Sequence, residues 1–274
     1  MGKLPVGVQV YSVREDAEKD FLGTVKKLKA LGYDFVELAG LYGRTPQEIR
    51  AALDEAGISA LSAHVPFAEL TEDTEGTVAA YDTIGCKYIA IPYLEEEFRP
   101  GNPGFDKVME AIPKIGAACN ARGITLLYHN HDFEFAKMPD GRYALDYMYE
   151  TIPADILQSE IDTCWVNISG VEPWNYVRKY TGRAPIVHLK DFFKEGEASN
   201  MYELIGILSG ADDAPKGKFE FRPVGYGMQS IPDILAAAVD AGTKYLVVEQ
   251  DMSVGRTPME AVEMSRNYLK TLGF

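Results

Sequence analysis

Four histidines occur in 274 residues, and two of them, His129 and His131, fall in one stretch, Ile124 to Phe135 (I-T-L-L-Y-H-N-H-D-F-E-F), with Asp132 and Glu134. Imidazoles and carboxylates bind divalent cations and move protons near neutral pH. An apolar run that stops abruptly in such groups reads as a buried strand ending in a site. The other two histidines keep similar company. His64 closes S-A-L-S-A-H, and His188 opens H-L-K-D with Lys190 and Asp191. Carboxylates end other short apolar runs: Glu37 in F-V-E-L, Glu160 and Asp162 in S-E-I-D, Glu249 and Asp251 in V-V-E-Q-D. No cysteine lies at any of these points, which argues against a soft thiolate site. Mixed imidazole and carboxylate suits Mn²⁺, Mg²⁺, Co²⁺ or Zn²⁺. Carboxylates packed together resist common ionisation, and a divalent cation resolves that conflict.

These residues are far apart in the chain, so a regular scaffold has to gather them. The first strand is expected at Val6 to Ser12, followed by a helix over Phe21–Leu31 with apolar residues at helical spacing and Gly32 as its cap. A second strand at Phe35–Leu38 leads to Thr45-Pro46, an N-cap and first-turn proline that open a helix running to Glu55. The same unit recurs with strands at Ser59–His64, Tyr88–Pro92, Ile124 onward, Ile156–Asp162, Pro185–Lys190 and Tyr245–Glu249. Helices are expected between them, near Thr74–Ile84, Phe105–Ala121, Leu145–Glu150, Trp174–Tyr180 and after Ser230, and a last one after Thr257-Pro258. Strict β/α alternation forces a parallel sheet. Eight units match a closed (β/α)₈ barrel, a TIM barrel. The rival, an open doubly wound sheet, would usually carry a glycine-rich first turn, and Val10-Tyr11-Ser12-Val13-Arg14 has no glycine. With no linker or composition break, residues 1–274 are expected to form a single domain. The one long excursion, Phe192 to Gln229, is the length of a functional lid or a loop with its own short helix, expected at Met201–Leu208.

In such a barrel the strand C-termini form one face, and chemistry sits there. Every residue singled out above falls at that face, all four histidines included. The totals agree with a small-molecule enzyme. Forty-one acidic against 27 basic residues leave a net charge of −14, which repels phosphate backbones, so no nucleic-acid partner is expected. No apolar stretch approaches the roughly 18 residues of a membrane span, and the start of the chain lacks the pattern of a signal peptide. Cys86, Cys119 and Cys164 are sparse and odd in number, as free thiols of a reducing compartment would be. A cytoplasmic protein is expected, with homo-oligomerisation left open.

The set Y-H-N-H-D-F-E-F at 128–135, E-I-D-T-C-W at 160–165, H-L-K-D at 188–191, V-G-Y-G at 224–227 and V-V-E-Q-D at 247–251 resembles the xylose-isomerase-like TIM-barrel superfamily. The likeness is strongest to its sugar phosphate isomerase/epimerase group, with inosose dehydratase and ketose 3-epimerase relatives. It covers nearly the whole chain, and the order of motifs on successive strands is more specific than any one of them. The resemblance implies one divalent metal ion, Mn²⁺ foremost, and a sugar substrate. By position Asp162, His188 and Glu249 match three ligands. The fourth, a glutamate at the end of strand five in the epimerases, is where this sequence departs, because His129 stands there. Either Glu134 folds back as the fourth ligand and His129 becomes a base, or His129 or His131 is the ligand; the first is the expectation carried forward.

The implied chemistry is proton removal beside a carbonyl, with the metal stabilising the enediolate. His129 and Glu249 are the expected proton-handling groups, and Lys190 polarises or protonates an oxygen, unless it simply pairs with a rim carboxylate. Glu37, His64 and His131 are expected to line the pocket for substrate hydroxyls, with Trp165 as an apolar wall or as core. Gly225 and Gly227 resemble a phosphate cradle but have no nearby cation beyond Arg222, so they read as a turn and the sugar as unphosphorylated. A sugar isomerase or epimerase is the leading expectation. A lyase or dehydratase acting on a keto-sugar, keto-glycoside or inosose is the alternative, favoured by the unsymmetrical imidazole at 129. Cleavage of damaged DNA and non-catalytic sugar binding are disfavoured, the first by charge.

Overall fold

The structure, a computed structural model, describes residues 4–196 and 217–274. The expected helix at 201–208 lies outside the described residues.

Eight parallel strands close into a barrel: β1 (Val6–Gln9), β2 (Phe35–Ala39), β3 (Ser59–His64), β4 (Tyr88–Ile91), β5 (Thr125–His129), β6 (Gln158–Asp162), β7 (Ile186–Leu189) and β10 (Tyr245–Val248). Each pairs with its sequence neighbours, and β10 closes the ring between β7 and β1. Two further strands, β8 (Asp191–Gly196) and β9 (Gly217–Arg222), form an antiparallel hairpin beyond β7. That hairpin occupies both ends of the excursion for which only a lid or helix was expected.

Alternation along the strands explains how one sequence serves two surfaces, since successive side chains point to opposite faces. One set, including Val8, Val36, Leu126, Ile161, Val187 and Leu246, packs outward in the main core. The other set faces the barrel axis, where Phe35, Tyr88, Ala90, Leu127, Ile186 and Val247 form a separate apolar cluster. Gly7 belongs to this inner set, and only a residue without a Cβ fits there, because a Cβ would stand 2.2 Å from the Phe35 ring. Between Val36 and Glu37 the β2–β3 register slips by one residue, so Glu37 lies opposite Ser62 rather than Leu61. This bulge re-aims side chains at the rim of the site.

The helices form where their signals lie. Thr45 and Thr257 each close a capping box with Glu48 and Glu260 ahead of a first-turn proline. Three short helices escaped the sequence reading: Arg14–Lys19, Phe67–Glu72 and Thr163–Ile168. Each follows a barrel strand at the catalytic end, and six residues are too few to show a helical stripe. Cys86, Cys119 and Cys164 are buried free thiols. Among the described residues no helix is long and apolar enough to cross a membrane.

Candidate active site

Two residues past the inner apolar cluster, the inward positions turn polar. Leu127 is followed by His129, Ile186 by His188 and Val247 by Glu249; Phe35 gives way to Glu37, and Glu160 and Asp162 share the inward face of β6. The ladders set them side by side: His129 opposite Glu160, Asp162 opposite His188, Gln9 opposite Glu37.

They form two groups that share His129 and His188. The deeper one gathers on Glu160 Oε1, which lies 2.6 Å from His64 Nε2, 3.0 Å from His129 Nδ1 and 3.1 Å from His188 Nε2. Glu37 Oε1 adds approaches of 2.8 Å to His188 Nε2 and 3.1 Å to His64 Nε2. Gln9 Nε2 and Ser62 Oγ donate to the Glu37 carboxylate and hold it in place. The outer group is His129, Asp162, His188 and Glu249, whose potential ligand atoms all lie within 4.8 Å of one another. Here Glu249 Oε2 is 3.0 Å from His188 Nδ1, and Asp162 Oδ2 is 3.6 Å from His129 Nε2.

Asp162 is half-committed. Its Oδ1 accepts the backbone N–H groups of Cys164 and Trp165, capping the Thr163–Ile168 helix, at 2.8 and 3.1 Å. Its Oδ2 is buried and has no hydrogen-bond partner. A buried carboxylate oxygen left without a donor is costly, and its setting among two imidazoles and Glu249 is the donor chemistry of a hard or borderline divalent cation. The site therefore fits such an ion.

Charge is distributed unevenly over these groups. Burial pulls His64 down, but Glu37 and Glu160 lift it to about 10. His188 is likewise lifted well above the usual imidazole range despite burial, by Glu160 and Glu37. His129 goes the other way: burial takes it to about 4, against the Glu160 hydrogen bond. Burial also holds His131 well below its ordinary value, with His129 adding to the effect. Among the acids, burial pushes Asp162 to about 7 and Asp251 to about 6, with Lys190 opposing in both cases.

A cavity of about 360 Å³ opens above the outer group. His64, His129, His131, Glu249 and Asp251 give it a polar floor, and Tyr11, Pro66, Pro92 and Tyr93 an apolar wall. Of the expected substrate contacts, His64 and His131 line this cavity. Glu37 and Trp165 stand behind its lining. Trp165 is fully buried with Phe192, Phe219 and Phe221, and backs His131 at 5.1 Å between ring centroids. It is core rather than sugar wall. Lys190 also sits behind the lining, with Nζ 2.6 Å from Asp251 Oδ2, 3.4 Å from Glu249 and 3.7 Å from Asp162. It reaches the cavity through these carboxylates.

Glu134 is not where its expected role as a ligand requires it. It belongs to neither donor group. Tyr128 Oη donates to its Oε1 at 2.5 Å and the His131 backbone N–H to its Oε2 at 2.8 Å. Tyr128 is an outward residue of β5, packed in the main core, so the 3₁₀ turn Phe133–Phe135 carries Glu134 behind the barrel wall. Burial raises its carboxyl to about 8.

The glycines at 225 and 227 form a turn, and its occupant is the chain's own Asp191. The N–H groups of Gly225, Gly227 and Gln229 donate to the Asp191 carboxylate at 3.0, 2.9 and 3.1 Å. A Cβ at 227 would lie 2.2 Å from Asp191 Oδ1. Lys190, between β7 and β8, thus points to the site carboxylates while Asp191 points to the glycine turn.

Among the residues of the site with no role assigned from the sequence are Glu160, Asp251, Tyr11 and Tyr93. Glu160 and Asp251 carry the i, i+2 parity of Asp162 and Glu249, which marks them as inward. Tyr11 lies in the 3₁₀ turn Val10–Val13 that follows β1, where strand parity no longer applies. Tyr93 lies in the loop after β4 and carries no comparable signal.

The chain belongs to the xylose isomerase-like TIM barrel family, whose profile matches residues 25–272. Among curated proteins it is similar to an inosose dehydratase of Clostridium perfringens, 22% identical over 92% of this chain and 90% of the relative. Among solved structures it is similar to a sugar phosphate isomerase/epimerase from Parabacteroides distasonis, with a TM-score of 0.76, 21% identity and coverage of 98% and 94% of the two chains. A protein named IOLI, solved with a bound zinc atom, aligns with a TM-score of 0.69 and 14% identity over 98% of each chain.

Proposed function

We propose that the protein is a divalent-metal-dependent dehydratase that removes water from a small keto-cyclitol or keto-sugar. The observation that carries this reading is the outer donor group, in which an imidazole, His129, stands beside Asp162, His188 and Glu249. Two-sided epimerisation favours matched carboxylates on both faces of the substrate; here one of the pair is replaced by a group that burial keeps neutral. The likeness to inosose dehydratases over nine-tenths of both chains supports the lyase over the isomerase.

His129, Asp162, His188 and Glu249 would hold the ion. When bound, the ion supplies Lewis-acid stabilisation of charge developing on a carbonyl oxygen. The chain's own groups move the protons. His131, neutral at pH 7 and exposed to the cavity, accepts the proton from the carbon beside the carbonyl at its imidazole. Asp251, with a pKa near 6 and its Oδ2 on Lys190, returns a proton to the departing hydroxyl oxygen, so that water leaves as the carbon–carbon double bond forms. Lys190 tunes Asp251 and Glu249. Among the described residues that line the cavity there is no lysine or arginine, which favours an unphosphorylated substrate.

The test is incubation of the metal-loaded protein in deuterated water with a panel of inososes and keto-hexoses, read by mass spectrometry and NMR. Loss of one water from a panel member supports the proposal. Deuterium uptake with isomer formation and no water loss would return the reading to an isomerase.

A further inference from the structure

The proposed metal set leaves open what aims its two imidazoles. A neutral imidazole carries one N–H and one lone pair, and a ligand must point the lone pair at the ion. His129 Nδ1 lies 3.0 Å from Glu160 Oε1, within hydrogen-bond geometry, while Nε2 faces Asp162 Oδ2 at 3.6 Å, beyond hydrogen-bond length. An ionised carboxylate only accepts, so the nitrogen against Glu160 has to carry the hydrogen. The lone pair then falls on Nε2, on the side of Asp162 and Glu249. His188 differs: its Nδ1 lies 3.0 Å from Glu249 Oε2, within hydrogen-bond geometry, while Nε2, 3.1 Å from Glu160 Oε1 and 2.8 Å from Glu37 Oε1, makes no hydrogen bond. The deeper group and the outer group use opposite nitrogens of the same two rings. Since each neutral ring has a single lone pair, the two groups do not both bind a cation as neutral imidazole sites.

We infer that Glu160 is a positioning residue that sets the tautomer of His129, so that this ring presents its lone pair on Nε2 to the outer group. It acts through the histidines: Glu160 does not line the cavity, whereas His64 and His129, which it touches, do. Its position is fixed by its place on β6, where the ladder sets it opposite His129. The inference rests on the metal reading of the outer group. Carboxylates behind a ligating histidine typically raise metal affinity by about 10–100-fold.

The test combines two readouts on the full chain. Long-range ¹H–¹⁵N spectra of the metal-free protein at pH 7.5, with only four histidines to assign, report which nitrogen of His129 is protonated. The expected result is the Nδ1–H form, and loss of that preference in Glu160→Gln. Zn²⁺ affinity, measured by chelator competition, is expected to fall about 10–100-fold in Glu160→Gln. A wild-type His129 protonated on Nε2, in a protein that binds Zn²⁺, overturns the inference alone. So does a Glu160→Gln variant with wild-type affinity. A wild-type protein that fails to bind Zn²⁺ overturns the metal reading and with it the purpose assigned to Glu160.

Discussion

The barrel interior holds two layers that share strands and orientation and differ in everything else. The lower layer, Phe35, Tyr88, Leu127, Ile186 and Val247, is an apolar plug. The upper layer, two residues along each strand, holds Glu37, His129, Glu160, His188 and Glu249, buried and paired mostly with one another. The plug gains stability by removing apolar surface from water and needs no partner of particular charge. The upper layer gains little by burial. Ionised groups lose hydration there, and only mutual pairing or a cation compensates. One step of the β repeat thus separates a region built for stability from a region that spends it.

Substitutions in the two layers should therefore fail differently. His188→Ala should abolish metal binding and lower turnover by about a thousandfold or more, roughly 4 kcal/mol of barrier, with the fold retained by circular dichroism. A variant that still binds metal at wild-type affinity would remove His188 from the ligand set. Phe35→Ala should show the reverse. A loss of about 3–5 kcal/mol in urea unfolding is expected, with metal content per folded chain unchanged. Lys190→Met sits between the layers' behaviours. Removing the ammonium strands Asp251, Glu249 and Asp162, so the metal-free protein should lose about 3–5 kcal/mol. Adding metal should recover part of that loss, as it would not for Phe35→Ala.

A pH-dependent effect concerns Glu134. Its folded pKa of about 8 lies above its ordinary value, because burial outweighs donation from Tyr128 and from the Glu134 and His131 backbone. A raised pKa contributes stability that is fully present below the unfolded value, near 4.5, and is lost as pH rises through about 8. Glu134→Gln should flatten the stability of the metal-free protein against pH across that window, as read by urea midpoints. An unchanged slope would mean that the carboxyl is ionised throughout.

Much of this comparison is legible in the sequence. The helix–glycine–strand repeat implies the barrel, and the barrel implies that strand-end histidines and carboxylates share a face. Parity then sorts the residues further: Glu160 and Asp162 must both point inward on β6, and Glu249 and Asp251, just past the end of β10, keep the same alternation. What escapes is set by local departures from parity and by depth. Glu134 lies five residues beyond His129, close enough in sequence to be taken for a ligand, yet a single 3₁₀ turn delivers it to Tyr128 on the outer side of β5. Trp165 and Lys190 lie at the right strand ends but one shell behind the cavity, because Asp251, Glu249 and His131 stand in front of them. The β2–β3 bulge and the β8–β9 hairpin depend on pairing between distant segments, which spacing alone does not display. Asp191 filling the glycine turn is of the same kind, a contact across 34 residues.

The most direct test of the account is the metal content of the protein purified without chelators, by elemental analysis, alongside Asp162→Ala. The account predicts about one divalent ion per wild-type chain and none in the variant. A wild-type protein free of Mn, Co, Zn, Mg and Fe, and unable to take them up, would contradict it.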